Sequence, residues 1–223
     1  KEIQASYAIL DLEDEPNIDR LGGTTKISEI TKTTKIDQNP EKQILDLISE
    51  QIIEQKTDKL KVGVSIYSGE ATPSLSRKFI QKTLEQIRED FKKSHPDLNL
   101  HTVDGKTTEL PTAKIVHSGL LKKGGMSIDL IIKDSKLILA QTIACPNLKK
   151  YTLRDYGKPK PSGVNGMLPP KLAQIMINLS GAKTGDHILD PFCGSGTVLQ
   201  EAMLLEIDST GSDLNPEIIA DAK

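Results

Sequence analysis

HILDPFCGSGTVLQEAMLLEIDSTGSD, residues 187–213, decides the fold class. A short apolar run at 187–190 leads into a glycine turn. An apolar-periodic stretch follows at 197–205, and a second short run at 207–213. Strand, turn, helix and strand with such brief connections open a parallel, doubly wound sheet, because parallel neighbours need a crossover and a helix supplies it. Upstream, Pro169-Pro170 predicts a helix start, Leu172, Ile175, Met176 and Leu179 recur at i, i+3, i+4 and i+7, and Gly181 is placed to cap the end. Downstream, Asn215 reads as an N-cap and Pro216 as the first helical residue.

Open α/β sheets bind ligands outside the C-terminal ends of their strands. Asp190-Pro-Phe-Cys-Gly-Ser-Gly-Thr197 stands at that edge. Gly194 and Gly196 remove β-carbons, so a ligand can approach the backbone and the turn can take unusual dihedrals. Exposed N–H groups and the positive end of the following helix favour a polar ligand group. Asp190 supplies a negative charge suited to a cation or an amine. Asp213 closes the next strand, 23 residues on, where a carboxylate accepts hydrogen bonds from ribose hydroxyls.

The nicotinamide fingerprint G-x-G-x-x-G wants a third glycine, and Leu199 stands in its place. An acid at the head of the turn would repel a pyrophosphate. S-adenosylmethionine carries a sulfonium, an ammonium and an adenosine, so its charges fit. The expected cofactor-binding residues are Asp190, Phe192, Cys193, Gly194, Ser195, Gly196, Thr197 and Asp213. Cys193 stands where a helix N-terminus lowers a thiol pKa, but amine methylation needs no protein nucleophile, so its backbone is its expected contribution. The bland alternative is a structural turn with no ligand.

The rest of the chain reads as a separate α/β unit. Strands are expected at 3–10, 60–67, 98–103 and 112–117. A helix over 41–56 carries Ile44, Leu47, Ile48 and Ile52 on one face, with Pro40 just before it. A second helix over 74–93 repeats Ile80, Leu84, Ile87 and Phe91. Residues 126–133 and 136–144 are β runs joined by a tight turn at Asp134-Ser135. Residues 149–166 hold glycines, prolines and basic residues with little apolar content, and read as a linker.

The 223 residues are 36% hydrophobic and 27% charged, so a packed core is within reach and wholesale disorder is excluded. No apolar run is long enough to span a membrane. The first residue is Lys, and no leader is read after it. Cys145 and Cys193 make neither a disulfide framework nor a zinc site, which fits a reducing compartment, the cytoplasm. The four histidines lack metal-ligand spacing, so no metal is expected.

Net charge is -2, but charge is segregated: residues 111–160 carry 10 basic and 3 acidic side chains. Such a block is a footprint for a polyanion, or simply a solvated lysine surface. Lys114, Lys122, Lys123, Lys149, Lys150, Arg154, Lys158 and Lys160 are the expected RNA contacts. Tyr151 and Tyr156 lie among them for stacking. A structural Arg154–Asp155 pair is the competing reading for Arg154.

DPFCGSGT resembles the cofactor motif of class I S-adenosylmethionine-dependent methyltransferases. RDYGKPKPSGVNGMLPPKLAQIMINLSG followed by that motif is similar to RNA methyltransferases that carry a THUMP domain, most of all to the archaeal and eukaryotic tRNA guanosine-10 N2-methyltransferases. LGGTTKISEI (21–30) and the block at 112–158 extend the resemblance. It implies a remnant of an N-terminal ferredoxin-like domain at 1–40, a THUMP RNA-binding domain at 41–148, the linker, and the first part of a Rossmann-like methyltransferase domain at 167–223. The implied function is methylation of an exocyclic guanine N2 amine, with tRNA as partner; an accessory subunit stays open.

That family attacks its amine through an Asp/Asn-Pro-Pro-Tyr/Phe motif. The one double proline here, Pro169-Pro170, lies in a different context. The resemblance therefore implies a chain truncated at both ends, with catalytic residues expected beyond Lys223 and the piece inactive by itself. An RNA-binding module without catalysis and a DNA amino-methyltransferase are the alternatives.

Overall fold

A computed structural model describes residues 7–55, 57–68, 76–157 and 168–222. They form two units. The first takes in the described residues up to Glu13 together with Lys26–Cys145, and the second Asp14–Thr25 together with the described residues from Pro146 onward. No described helix is long and apolar enough to cross a membrane.

Unit 1 is a five-stranded mixed sheet. Its strands are β1 (Ile27–Lys35), β2 (Lys59–Ser68), β3 (Asn99–Val103), β4 (Gly125–Lys133) and β5 (Lys136–Ala144), in the order β1-β5-β4-β2-β3. β2 runs parallel to β3 and β4, and β5 is antiparallel to β4 and β1. Helices α1 (Pro40–Ile53) and α2 (Arg77–Ser94) are started by Asn39 and Ser76, whose side chains accept from the Lys42 and Phe79 amides. Their apolar faces pack on Val62, Val64, Ile128, Leu130 and Leu139. The turn between β4 and β5 has both Asp134 (φ 50°) and Ser135 (φ 58°) left-handed, the two-residue turn whose twist matches paired strands.

The opposite face buries Tyr67, Ile131 and Ile138, and beside them Leu110, Ile115 and Leu120. Gly63 lies under the last group: a β-carbon there would stand 2.5 Å from Leu110 and 2.6 Å from Leu120. Between these apolar groups runs a polar seam. Buried Asp129 accepts from Lys26 Nζ, Ser28 Oγ and Thr142 Oγ1, and Lys26 also donates to Ser65 Oγ at 3.2 Å. Burial pushes the thiol of neighbouring Cys145 up to about 11.

Three expectations for this half need correction. Residues 112–117 are not a strand: α3 spans Thr112–Ser118, with Pro111 at its N-cap and left-handed Gly119 at its end. β-branched Thr112, Ile115 and Val116 favour a strand, but burial of Ile115 against Leu110 and Leu120 prevails. The described part of the expected 1–40 remnant does not form a unit of its own. Ile27–Lys35 is the edge strand of the unit 1 sheet, paired along β5, while Asp14–Thr25 joins unit 2. Of the strand expected at 3–10, residues 7–10 have no regular structure and the others lie outside the described residues.

Unit 2 contains a 3-10 turn at Ile18–Arg20 and helices α4 (Leu148–Tyr156), α5 (Pro170–Ser180), α6 (Thr197–Leu204) and α7 (Pro216–Ala222). Its two strands, β6 (His187–Asp190) and β7 (Asp208–Gly211), pair in parallel. The expected linker is therefore helical up to Tyr156, because Asn147 caps α4 and Tyr151 gives it a buried anchor. Residues 158–166 lie outside the described residues.

α5 starts and stops as expected, but its packed face differs. Ala173, Gln174 and Ile177 are buried, while Leu172, Met176 and Leu179 are 44%, 50% and 82% exposed. The reason is the neighbour. Gln174 and Asn178 donate to the carbonyls of Asp19 and Arg20, and Gly22 lies so close that a β-carbon would be 2.4 Å from the Lys171 carbonyl oxygen.

Candidate functional site

β6 delivers Asp190 to its C-terminal end, and the chain reverses through Pro191–Gly196 into α6. The ladder continues past the strands. Ser212 N–H donates to Asp190 O, and Cys193 N–H to Ser212 O, each at 2.9 Å. These bonds draw the turn over the end of β7. Gly194 (φ 53°) and Gly196 (φ 78°) are both left-handed, as the close reversal requires. Gly196 N–H then donates to Cys193 O at 2.8 Å.

Asp213 closes the arrangement. Its Oδ2 accepts from Gly194 N–H and its Oδ1 from Asn215 N–H, both at 2.9 Å. Amide bonds from Asn215 and then Gly194 hold its carboxyl below the usual carboxylate range, so it is ionised at neutral pH. Asp190 Oδ1 accepts from Phe192 N–H at 3.1 Å.

Gly211 fits beneath the turn. A β-carbon on it would stand 2.6 Å from Leu199, 2.7 Å from Cys193 Cβ and 2.8 Å from Cys193 Sγ. Gly211→Ala is therefore expected to lift the turn and lower stability by about 1–3 kcal/mol, as overpacking does. Urea denaturation of the two proteins measures it.

Cys193 is buried, and its thiol is pushed up by that burial and then by Asp190 and Asp213. The direction is opposite to the lowering expected of a helix N-terminus, since burial first, and then the two nearby carboxylates, disfavour a thiolate. Iodoacetamide labelling of this cysteine is expected to stay slow at pH 8 and to accelerate only above the usual thiol range. Rapid labelling at pH 7, mapped by mass spectrometry, would contradict the burial.

The turn and the two acids line one cleft of about 490 Å³, a size ordinary for small-molecule sites. Asp190, Phe192, Cys193, Gly194, Ser195, Thr197 and Asp213 all face it. Gly196 is buried and caps α6 instead of lining the space. Sequence reasoning missed Leu168, Val198, Asn215 and Ile218 as further lining residues. Asn215 and Ile218 follow from the start of α7 just after Asp213; Leu168 has no local signal. No lysine or arginine lines the cleft among the described residues. Its two carboxylates suit a cationic ligand group, and its Leu168 and Ile218 suit an apolar ring.

The expected RNA contacts separate. Lys114, Lys122 and Lys123 are exposed on α3 and the loop after it, in unit 1. Lys149 and Lys150 are exposed on α4, in unit 2, with Lys150 Nζ 3.6 Å from Asp19. Lys158 and Lys160 lie outside the described residues. Arg154 is no surface cation: its Nε donates to Glu201 at 2.7 Å, with the side chains 14% and 0% exposed. Its ion-pair partner is Glu201 and not Asp155. Tyr151 is buried as well, whereas Tyr156 is 78% exposed.

The chain is a mixed α/β protein whose second unit carries, after α5, the strand–turn–helix–strand of a Rossmann-like fold. Residues 158–221 match the family model of the RMKL-like methyltransferase domain, UPF0020. A tRNA (guanine(10)-N2)-dimethyltransferase of Methanothermobacter thermautotrophicus is 36% identical over 118 residues, covering 51% of this chain and 35% of that protein. The protein of the same name from Methanocaldococcus jannaschii is 28% identical over 145 residues, 63% of this chain and 39% of that one. The chain thus spans well under half the length of these relatives. In structure it is similar to TrmN from Thermus thermophilus, with a TM-score of 0.51 at 16% identity, covering 96% of this chain and 56% of that one.

Proposed function

We propose that the chain serves S-adenosylmethionine-dependent methylation of the exocyclic N2 amine of a guanine in tRNA, in the cytoplasm. Unit 2 holds the methyl donor, and unit 1 is a THUMP-type module that holds the RNA. The observation that carries this reading is the shared cleft of Asp190 and Asp213 under a glycine turn at parallel strand ends. The names of the archaeal relatives support the substrate class.

S-adenosylmethionine would supply an electrophilic methyl group. Asp190 would face its cationic end, Asp213 its ribose hydroxyls, and Leu168 and Ile218 the adenine. The protein's part is to hold and align, since a well-oriented pair of reactants needs little further help. The target guanine must leave its stack to reach the cleft. Lys114, Lys122 and Lys123 would neutralise phosphates, which positions RNA without reading bases. A binding-only module is the alternative that the same measurements separate.

Calorimetry with S-adenosylhomocysteine is expected to give one site per chain. tRNA affinity is expected to fall steeply with salt, and Lys114→Gln, Lys122→Gln and Lys123→Gln together to reduce the slope of log K against log salt by about 2. Salt-dependent tRNA binding with no nucleoside binding would leave the binding-only reading; salt-independent tRNA binding would remove the RNA surface.

A further inference from the structure

Arg154 on α4 and Glu201 on α6 meet in the interior of unit 2. The guanidinium also lies over the Tyr151 ring, 4.3 Å from its centroid. Tyr151 in turn donates its hydroxyl to Gln174 Oε1 at 2.6 Å, and Gln174 Nε2 donates to the Asp19 carbonyl at 2.8 Å. Burial raises the Tyr151 pKa, so the hydroxyl keeps its proton as donor. The network joins α4, α5, α6 and the segment around Asp19.

A fully buried carboxylate is tolerated only against a well-placed cation, so the place of Glu201 in the chain matters. It lies four residues beyond Thr197, about one helical turn below the cleft on the same side of α6. α6 spans only Thr197–Leu204, and its N-cap, Gly196, offers no side-chain bond. The turn's own bonds hold the top of the helix, Ala202 packs in the unit 2 core, and the Arg154–Glu201 contact ties the turn below, while the first residues of α6, Thr197 and Val198, line the cleft. Arginine suits such a task better than lysine. Its Nε donates along a fixed direction, and its flat group stacks on an aromatic ring, so the pair has one geometry.

We propose that Arg154 and Glu201 are positioning residues for the donor cleft: their buried contact fixes α6, and through it the Gly194–Thr197 turn, and Arg154 takes no part in holding RNA. The inference rests on the reading of that cleft as the donor site. It removes Arg154 from the RNA surface and gives it to the methyl-donor half of the function.

Wild type, Arg154→Lys, and the double variant Arg154→Met with Glu201→Leu are compared by three readouts. These are S-adenosylhomocysteine affinity by calorimetry, hydrogen exchange at the Gly194 and Gly196 amides, and affinity for an unmodified tRNA transcript at fixed salt. Arg154→Lys keeps a charge beside Glu201 and so keeps the fold. It loses the Nε direction and the stack, and is expected to bind S-adenosylhomocysteine about tenfold more weakly. The two turn amides exchange faster in this variant. The double variant replaces the pair by apolar volume, which folded proteins accept, and shows whether RNA needs the charge. tRNA affinity is expected to match wild type in both variants.

Wild-type exchange and wild-type donor affinity in Arg154→Lys would overturn the proposal, as would a loss of tRNA affinity in either variant. If wild type itself fails to bind S-adenosylhomocysteine, the donor-site reading falls. The exchange of the turn amides then still decides whether the pair holds the turn.

Discussion

Asp213→Ala is expected to weaken S-adenosylhomocysteine binding at least about a hundredfold, the scale of losing two hydrogen bonds to an ionised acceptor. The carboxylate has two tasks. It faces the cleft, where it would receive the ribose hydroxyls, and it accepts the Gly194 and Asn215 amides that close the turn and begin α7. Alanine removes both, leaving left-handed Gly194 free to relax. Asp213→Asn keeps the shape and one oxygen, and about a tenfold loss is expected. The pH dependence carries a sign. Because the folded-state carboxyl sits below its usual range, its contribution to the fold is fully present above the ordinary carboxylate pKa of about 3.9 and is lost only as pH falls through the lower folded value. Donor affinity should thus stay flat on acidification from pH 7 to pH 5 as far as this group is concerned. Binding by Asp213→Ala within threefold of wild type, in calorimetry, would leave the acid with no role in the cleft.

That Asp190 and Asp213 share a cleft was legible because a β–α–β unit admits few arrangements. Parallel strands joined by one short helix must end side by side, so acids closing both strands meet at one edge. α1, α2 and the Asp134-Ser135 turn were legible for a related reason: each carries its own period, cap or turn chemistry within a few residues. What escaped depended on partners far along the chain. α3 buries little beyond Ile115, too few positions to set a period, although Pro111 and Gly119 bracket it. The packed face of α5 was misassigned because carbonyls of Asp19 and Arg20, about 155 residues away, recruit Gln174 and Asn178. Arg154 reads as an RNA-facing cation or as a partner of Asp155, because its true partner, Glu201, lies 47 residues on. Asp129 did carry a signal: one acid inside the apolar run MSIDLII demands a buried cation. Nothing local says that the cation is Lys26.

Lys26→Met is expected to destabilise unit 1 by about 3–5 kcal/mol, the cost of stranding one member of a buried ion pair. The Lys26 and Asp129 side chains are 10% and 2% exposed, and Asp129 stands on β4, a strand covered on both faces. Without the ammonium, the carboxylate keeps the hydroxyl donors of Ser28 and Thr142 among the described residues. Ser65 Oγ would then lose a donor while still accepting the Leu110 amide. Asp129→Asn should cost less, about 1–3 kcal/mol, because the Lys26 stem just before β1 is long enough to turn its ammonium toward water. The pair exchanged together, Lys26→Met with Asp129→Leu, should come closer to wild type than either single change, since apolar volume replaces a pair whose desolvation cost offsets much of its attraction. Hydrogen exchange at the β4 and β5 amides reports on unit 1 separately from unit 2, which a global melt would not. A Lys26→Met protein whose β4 amides exchange at the wild-type rate would show that Asp129 does not depend on that cation. A double variant that is the least stable of the three would show that the seam holds the sheet by its charges and not by its fit.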